Sequence, residues 1–341
     1  MTGTDAGAGQ RQAEQWTTRR LLAWMGEAFA KKGLDSPRLS AEMLMAGITG
    51  TDRLKLYTDP DRPASDEELA RLRGLVKRAL QHEPIQYLVG EAWFFGLPFA
   101  VDKRVLVPRP STETIVETVL QDARARHGAG VLAGAERKGL ANARALVRAS
   151  GEEDEDGAAA DPAAGPELRI ADVCTGSGCI AVALAKHLPT ARIVATDLSA
   201  DALEVARANA ERHGIDGRLT FAQGDLLAPL REHAAEGSLA YLVSNPPYIP
   251  DDEWADVEPN VKNHEPTMAL RAGRDGLDLI RPLVEQAPPL LAAGGLLLIE
   301  HAASHAEAVR TLAERHPLLT NARTLKDIEG HPRVLAAERR P

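Results

Sequence analysis

The sequence predicts an α/β protein: a doubly wound, Rossmann-like and largely parallel sheet, preceded by a small helical bundle and a β-hairpin connector. Three observations predict it. From Leu168 onward, strand and helix patterns alternate as βαβαβ. A Gly-x-Gly turn, Gly176-Ser177-Gly178, joins the first strand to the first helix, and doubly wound sheets bind ligands at that edge. Ahead of residue 84, apolar side chains recur at helical spacing between helix-capping residues.

The bulk numbers suit this class. A chain of 341 residues can hold two domains and a sizeable core. No apolar run reaches the roughly 18 residues of a membrane span, and the opening "MTGTDAGAGQRQAEQW" has no stretch fit for a signal peptide. Two cysteines in so long a chain argue for a reducing compartment, hence the cytoplasm. A net charge of −9 weighs against a protein that grips naked nucleic acid, so no stable nucleic-acid binding is expected. A monomer is the expected state.

Residues 1–13 read as a disordered tail. A helical domain follows over 14–84. Leu21, Leu22, Met25 and Phe29 share a helix face. Ser36-Pro37 reads as an N-cap with proline at the first helical position, and Gly50 ends that helix. Ser65 and Glu68 make the S-x-x-E pattern of a capping box ahead of Leu69, Leu72 and Val76. Such a bundle serves equally as a partner-binding module or as a packing cap. "IQYLVGEAWFFGLPFAVDKRVLV", from Ile85 to Val107, suggests a β-hairpin inside an 85–115 connector. Residues 116–166 read as a helix, starting near Thr112, and then an Ala/Gly/acidic insertion that is partly disordered.

The sheet domain is expected over 167–341. "LRIADVC", "RIVATD", "RLTFAQGD", "LAYLVSN" and "GLLLIEH" are its strands; "GCIAVALAKHL", "SADALEVARANAERHG" and a segment near Leu277–Leu291 are its helices. In "DVCTGSGCIA", Gly176 and Gly178 let the backbone approach a ligand, and the helix N-terminus offers free N–H groups. Asp197 ends the second strand, where a carboxylate can accept two ribose hydroxyls. Asp225, after the third strand, suits an adenine amino group or a helix cap. The loop alone does not choose between S-adenosylmethionine and NAD, because Gly176–Ala181 also fits the dinucleotide fingerprint.

"SNPPY" decides more. Two prolines end the fourth strand, since neither has an N–H to donate. They leave Asn245, Pro246, Pro247 and Tyr248 at the ligand-binding edge beside Asp172, Asp197 and Asp225. A planar amide or amino nitrogen is a poor nucleophile. Two acceptors holding its hydrogens would aim its lone pair at a methyl donor. The Asn245 side-chain oxygen and the Pro246 carbonyl can be those acceptors, and Tyr248 can stack on the planar group. In-line placement can supply roughly 7–11 kcal/mol. Neither a metal nor a nucleophilic side chain is required, and a dehydrogenase has no use for this motif.

"NPPY", "DVCTGSG" and above all "EPIQYLVGEAWFFGLPFAVDKRVLVPRPSTET" resemble the peptide chain release factor glutamine methyltransferases, the HemK/PrmC-type family. The likeness spans nearly the whole chain outside the tail and the insertion, including "HEPTMAL" and "RVLAAE". It implies an S-adenosylmethionine-dependent methyltransferase fold and methylation of the Gly-Gly-Gln glutamine of class I release factors, docked by the helical domain. It implies a cofactor site at Asp172, Cys174, Thr175, Gly176, Ser177, Gly178, Asp197, Leu198, Asp225, Leu226 and Asn245. Substrate contacts are implied at Asn245, Pro246, Pro247 and Tyr248. Arg109 is expected either to position a substrate or cofactor carboxylate or to form a surface ion pair. Adenine-N6 and guanine-N2 nucleic-acid methyltransferases look similar at NPPY alone. The relative that methylates a ribosomal-protein glutamine usually carries "PRSP" where this chain has "PRPSTE".

Two positions depart from the family pattern. Ser111 stands where an acidic residue is common, and Cys174 where glycine is common; an ordinary φ is expected at Cys174. Cys174 and Cys179 read as reduced thiols, and no metal is assigned. His264 and His301 are possible bases, but a methylated amide loses its proton easily, so no base is assigned.

Overall fold

A computed structural model describes residues 15–133 and 166–341. The expected disorder of the tail and of the acidic run falls outside the described residues. The chain divides into two units, one taking the residues up to Gly90 with Pro259–His264, the other the remainder.

The first unit is helical: α1 (Thr18–Lys32), α2 (Pro37–Thr49), α3 (Lys55–Thr58), α4 (Asp66–Ala79) and α5 (Ile85–Val89). Thr17 caps α1 by accepting from the Arg20 amide, and Gly33 ends it in the left-handed conformation. Leu21, Met25 and Phe29 are buried with Leu44 and Met45 of α2 and Leu72 and Val76 of α4. Fully burying each such side chain contributes about 1.5–3 kcal/mol. Pro37 does open α2 and Gly50 closes it, but Ser36 makes no side-chain cap: its φ of 47° leaves the extended geometry a cap needs. The Ser65–Glu68 capping box forms in full, at 2.9 and 3.1 Å.

Ile85–Val89 is a correction: it is helix, and the hairpin begins only after Gly90. Ile85 and Leu88 lie three apart and both bury in the helical core, which overrides their β-propensity. The hairpin pairs β1 (Glu91–Phe94) with β2 (Leu97–Ala100). Its two turn residues, Phe95 and Gly96, both take positive φ, which suits the right-handed twist of a two-residue loop. The Glu113 carboxylate accepts from the Phe95 amide at 2.7 Å.

Next come α6 (Glu113–His127), β3 (Leu168–Val173), α7 (Cys179–His187), β4 (Ala191–Asp197), α8 (Ala200–Arg212), β5 (Leu219–Gln223), α9 (Leu230–His233) and β6 (Leu239–Ser244). The chain closes with α10 (Pro259–His264), α11 (Ile280–Gln286), β7 (Leu291–Glu300), α12 (Ala306–Arg315), β8 (Leu319–Lys326) and β9 (Pro332–Arg339). The sheet order is β5-β4-β3-β6-β7-β9-β8. The first five strands run parallel, and β9 and β8 add antiparallel pairings. The chain leaves β3 toward β4 on one side and returns to β6 on the other, so the switch point lies between β3 and β6. Residues buried on this sheet include Val173, Leu242, Leu297, Ile299 and Leu335.

The expected helix over Leu277–Leu291 is shorter than its pattern. Pro288 and Pro289 have no N–H to continue it, and β7 starts at Leu291. Asp172 and Val243, and Val173 and Ser244, lie opposite one another across β3 and β6. That register brings the residue after each strand, Cys174 and Asn245, to one sheet edge.

Candidate active site

A cleft opens at that edge. Its walls come from the glycine loop, the ends of β4, β5 and β6, the segment ahead of α6 and the residues around Met268. Leu198 and Met268 stand exposed at its rim.

The glycine loop is held from behind. Asp172 is wholly buried, and its Oδ2 accepts from the Thr175 hydroxyl at 2.6 Å and the Ala181 amide at 3.1 Å. Burial pushes its carboxyl up to about 7, against the pull of those two bonds. Asp172 therefore supports the loop and is not itself a wall of the cleft. Gly178 also stands behind it: a Cβ there would meet Ala206 of α8 at 3.1 Å, so glycine permits the helix contact. Gly176, at φ 55°, has open space where a Cβ would be. Asn209 ties the loop to the hairpin, donating to the Ser177 and Ala100 carbonyls while accepting from the Ala100 amide.

Cys174 corrects an expectation. Its φ is 61°, the left-handed region that costs a non-glycine residue roughly 1–2 kcal/mol. Burial pushes both thiols up, Cys179 to about 12, so both are neutral near pH 7.

Asp197 is aimed by the backbone. Its Oδ2 accepts from the Gly176 amide and its Oδ1 from the Ser199 amide, both at 2.9 Å. Each oxygen keeps a further lone pair. Burial raises this carboxyl, and the amides of Ser199, Gly176 and Leu198 oppose the rise. Gly224 donates its amide to the Asp197 carbonyl at 3.0 Å, which sets Asp225 and Leu226 on the same wall.

Across the cleft, Asn245 donates Nδ2 to the Thr112 hydroxyl at 3.0 Å. Its Oδ1 and the Pro246 carbonyl accept from nothing among the described residues. Pro247 lines the cleft, whereas Pro246 and Tyr248 are not among its walls: both prolines are buried, and the Tyr248 hydroxyl turns toward Glu300 at 3.5 Å. Arg109 lines the cleft too but is held in an ion pair with Glu265, whose side chain is wholly buried, so this is not the surface pair expected.

Residues 20–90 match the family model for the PrmC N-terminal domain, and 162–259 that for the methyltransferase small domain. The release factor glutamine methyltransferase of Chlorobaculum tepidum is 41% identical over 297 residues, covering 87% of this chain and 89% of that one. That of Geobacter sulfurreducens is 38% identical over 322 residues, covering 94% and 96%. The chain belongs to the release factor glutamine methyltransferase family.

The residues of this release factor glutamine methyltransferase family member fit S-adenosylmethionine. Asp197 offers two oriented acceptors, Gly176 leaves the loop bare on its open side, and the wall between them is largely apolar. Sequence reasoning missed Thr112, Asn209, Glu265 and Glu300. Thr112 was only the start of a helix pattern. Its partner Asn245 lies 133 positions away, a separation that no local motif spans.

Proposed function

We propose that this enzyme transfers the methyl group of S-adenosylmethionine to the side-chain amide nitrogen of the Gly-Gly-Gln glutamine in class I peptide chain release factors. The observation that carries this reading is the Asn245 amide, anchored through Nδ2 on Thr112 with Oδ1 left free, on a cleft shared with Asp197 and the glycine loop.

When bound, the cofactor supplies an electrophilic methyl group on a sulfonium. Asp197 accepts its ribose hydroxyls; Thr175, Gly176, Ser177, Leu198, Asp225 and Leu226 line its place. Oδ1 of Asn245 and the carbonyl of Pro246 each accept one hydrogen of the glutamine amide, and Tyr248 and Pro247 border it. With both hydrogens held, the nitrogen lone pair projects toward the methyl group. The bond from the methyl to sulfur would break as its bond to nitrogen forms, the electron pair staying on sulfur as a thioether, and the nitrogen then loses one proton. That proton is strongly acidic once the nitrogen is alkylated, so water can remove it without a side-chain base. Rate then rests on placement and oriented dipoles.

The helical unit is read as the docking module for the factor, supported by its match to the N-terminal domain of the family. The enzyme is read as a cytoplasmic monomer without stable nucleic-acid binding. Its net charge of −9 supports the last point. No helix among the described residues is long and apolar enough to cross a membrane.

The test is transfer of labelled methyl to a purified class I release factor beside a variant whose Gly-Gly-Gln glutamine is alanine. Label on the first alone is expected. Label on neither, with cofactor bound, would move the substrate to ribosomal protein or nucleic acid.

A further inference from the structure

We propose that Arg169, Arg192 and Arg218 form a binding site for an oligophosphate anion at the amino ends of β3, β4 and β5, the sheet edge opposite the cleft. The site takes no part in methyl transfer, so it stands or falls apart from the function proposed above.

The three arginines make one row. Arg169 of β3 and Arg192 of β4 lie directly opposite one another. Ile193 of β4 faces Leu219 of β5, so the positions before them, Arg192 and Arg218, extend the row by one strand. Neighbouring strands lie about 4.8 Å apart, which makes the row roughly 10 Å wide. All three arginines line one cavity, and Glu167 is the one acid among its described walls. Glu167 pairs with Arg169 at 3.1 Å. Arg192 and Arg218 meet only carbonyls among the described residues. Arg192 donates Nη1 to Gly217 at 3.1 Å, and Arg218 donates Nη1 to Leu188 and Pro189 at 3.0 and 3.2 Å. Nε and Nη2 of both arginines remain as donors. Burial and the charge of Arg192 both press the half-buried Arg218 guanidinium below its usual range. Like charges set opposite each other across strands cost stability. A chain of net charge −9 that keeps two guanidiniums here without a carboxylate is suited to an anion arriving from outside.

The arrangement of donors selects phosphate. A carboxylate has two oxygens in one plane and matches a single guanidinium fork. A phosphate has terminal oxygens in several directions and takes donors from two neighbouring arginines. One phosphate does not span the row, whereas a chain of phosphates carries an anionic group at each step along it. Thr220, on the same wall, adds a hydroxyl donor. A free oligophosphate and the phosphate tail of a nucleotide share this chemistry.

The test is calorimetry on the full chain at low salt, where ion pairs are least screened. The probe is tripolyphosphate, which has no adenosine to enter the cleft. One bound chain per enzyme is expected, with the same affinity when S-adenosylhomocysteine saturates the cleft. Arg192→Gln and Arg218→Gln should each weaken binding about tenfold or more, as for a lost charge-assisted bond. Arg169→Gln should weaken it less, because Glu167 already shares that charge. Glu167→Gln should tighten binding, since it frees Arg169. Inorganic phosphate should bind about tenfold or more weakly than tripolyphosphate. Uridine triphosphate that binds more tightly than tripolyphosphate would identify a nucleotide as the source, and equal affinity a free chain; either outcome supports the site. No binding of tripolyphosphate, affinity unchanged in both Arg192→Gln and Glu167→Gln, or competition with S-adenosylhomocysteine would overturn it. So would binding of a single-stranded oligonucleotide where tripolyphosphate gives no heat. Arg218 also anchors two carbonyls. Should Arg218→Gln fail to fold, Arg192→Gln and Glu167→Gln decide.

Discussion

Arg109 and Glu265 lie 156 positions apart and form one ion pair, in which the Glu265 side chain is wholly buried and that of Arg109 is 31% exposed. The same carboxylate accepts from the Val107 amide at 3.1 Å. The pair fastens the segment ahead of α6 to the chain just before Pro266, and both ends border the cleft. Its two halves are unequal. Burial pushes Glu265 up, and Arg109 is the main influence opposing that. Arg109→Ala strands a buried carboxylate and should cost about 3–5 kcal/mol in urea unfolding. Glu265→Ala leaves an arginine that water already reaches, and should cost less. The reverse order would show that the carboxylate does not need the arginine.

Asn245→Ala removes the proposed acceptor for the substrate amide. It should lower kcat by about 100-fold or more, the loss seen when one preorganised group is taken from a reacting centre. Cofactor affinity by calorimetry should change far less, because Asp197 and the glycine loop stay in place. Turnover within about tenfold of wild type would remove Asn245 from the mechanism.

Asp197→Ala should act on the other half of the cleft. It deletes the expected ribose acceptor and releases the amides of Gly176 and Ser199. Charge-assisted bonds contribute about 1.5–3 kcal/mol each, so cofactor affinity should fall at least about tenfold. Calorimetry measures it directly. An unchanged affinity would place the ribose elsewhere.

Asp172 predicts a pH dependence. Its carboxyl is pushed up to about 7 by burial, whereas in the unfolded chain it titrates near its ordinary value of about 3.9. Between about pH 4 and pH 7 the folded state keeps a proton that the unfolded state has released. The contribution of Asp172 to stability is therefore greatest below pH 4, falls as pH rises through that window, and is level above about 7. Asp172→Asn has no such slope. Its stability relative to wild type should rise by a few kcal/mol from pH 4 to pH 7 in urea melts; parallel curves would mean that the folded carboxyl is ionised throughout.

Cys174 predicts a contrast between two small replacements. At φ 61° a Cβ is strained, and only glycine is free of that strain. Cys174→Gly and Cys174→Ala both lose the thiol packing. The glycine variant should nevertheless be more stable than the alanine variant by about 1 kcal/mol. Equal melting temperatures would show that the loop relaxes to accept a side chain.

Short-range chemistry was legible in the residue order. Capping at Ser65–Glu68, the proline stop after Asn245, the five parallel strands and the acids at their ends are all carried by residues within a few positions of one another. Family membership was legible for the same reason, since its motifs are contiguous. Tertiary structure decided the rest. Ile85–Val89 became helix because a helical core was there to bury Ile85 and Leu88. Asp172 went behind the loop because Thr175 and Ala181 turn back onto it. Strands β9 and β8 escaped notice because β9 adds to β7, already paired on its other side, and β8 adds to β9 at the edge. The orientation of Asn245 was the least legible of all. Its Nδ2 meets the Thr112 hydroxyl from before the sheet, and a hydrogen bond depends on distance and angle in the folded chain, which sequence spacing does not encode.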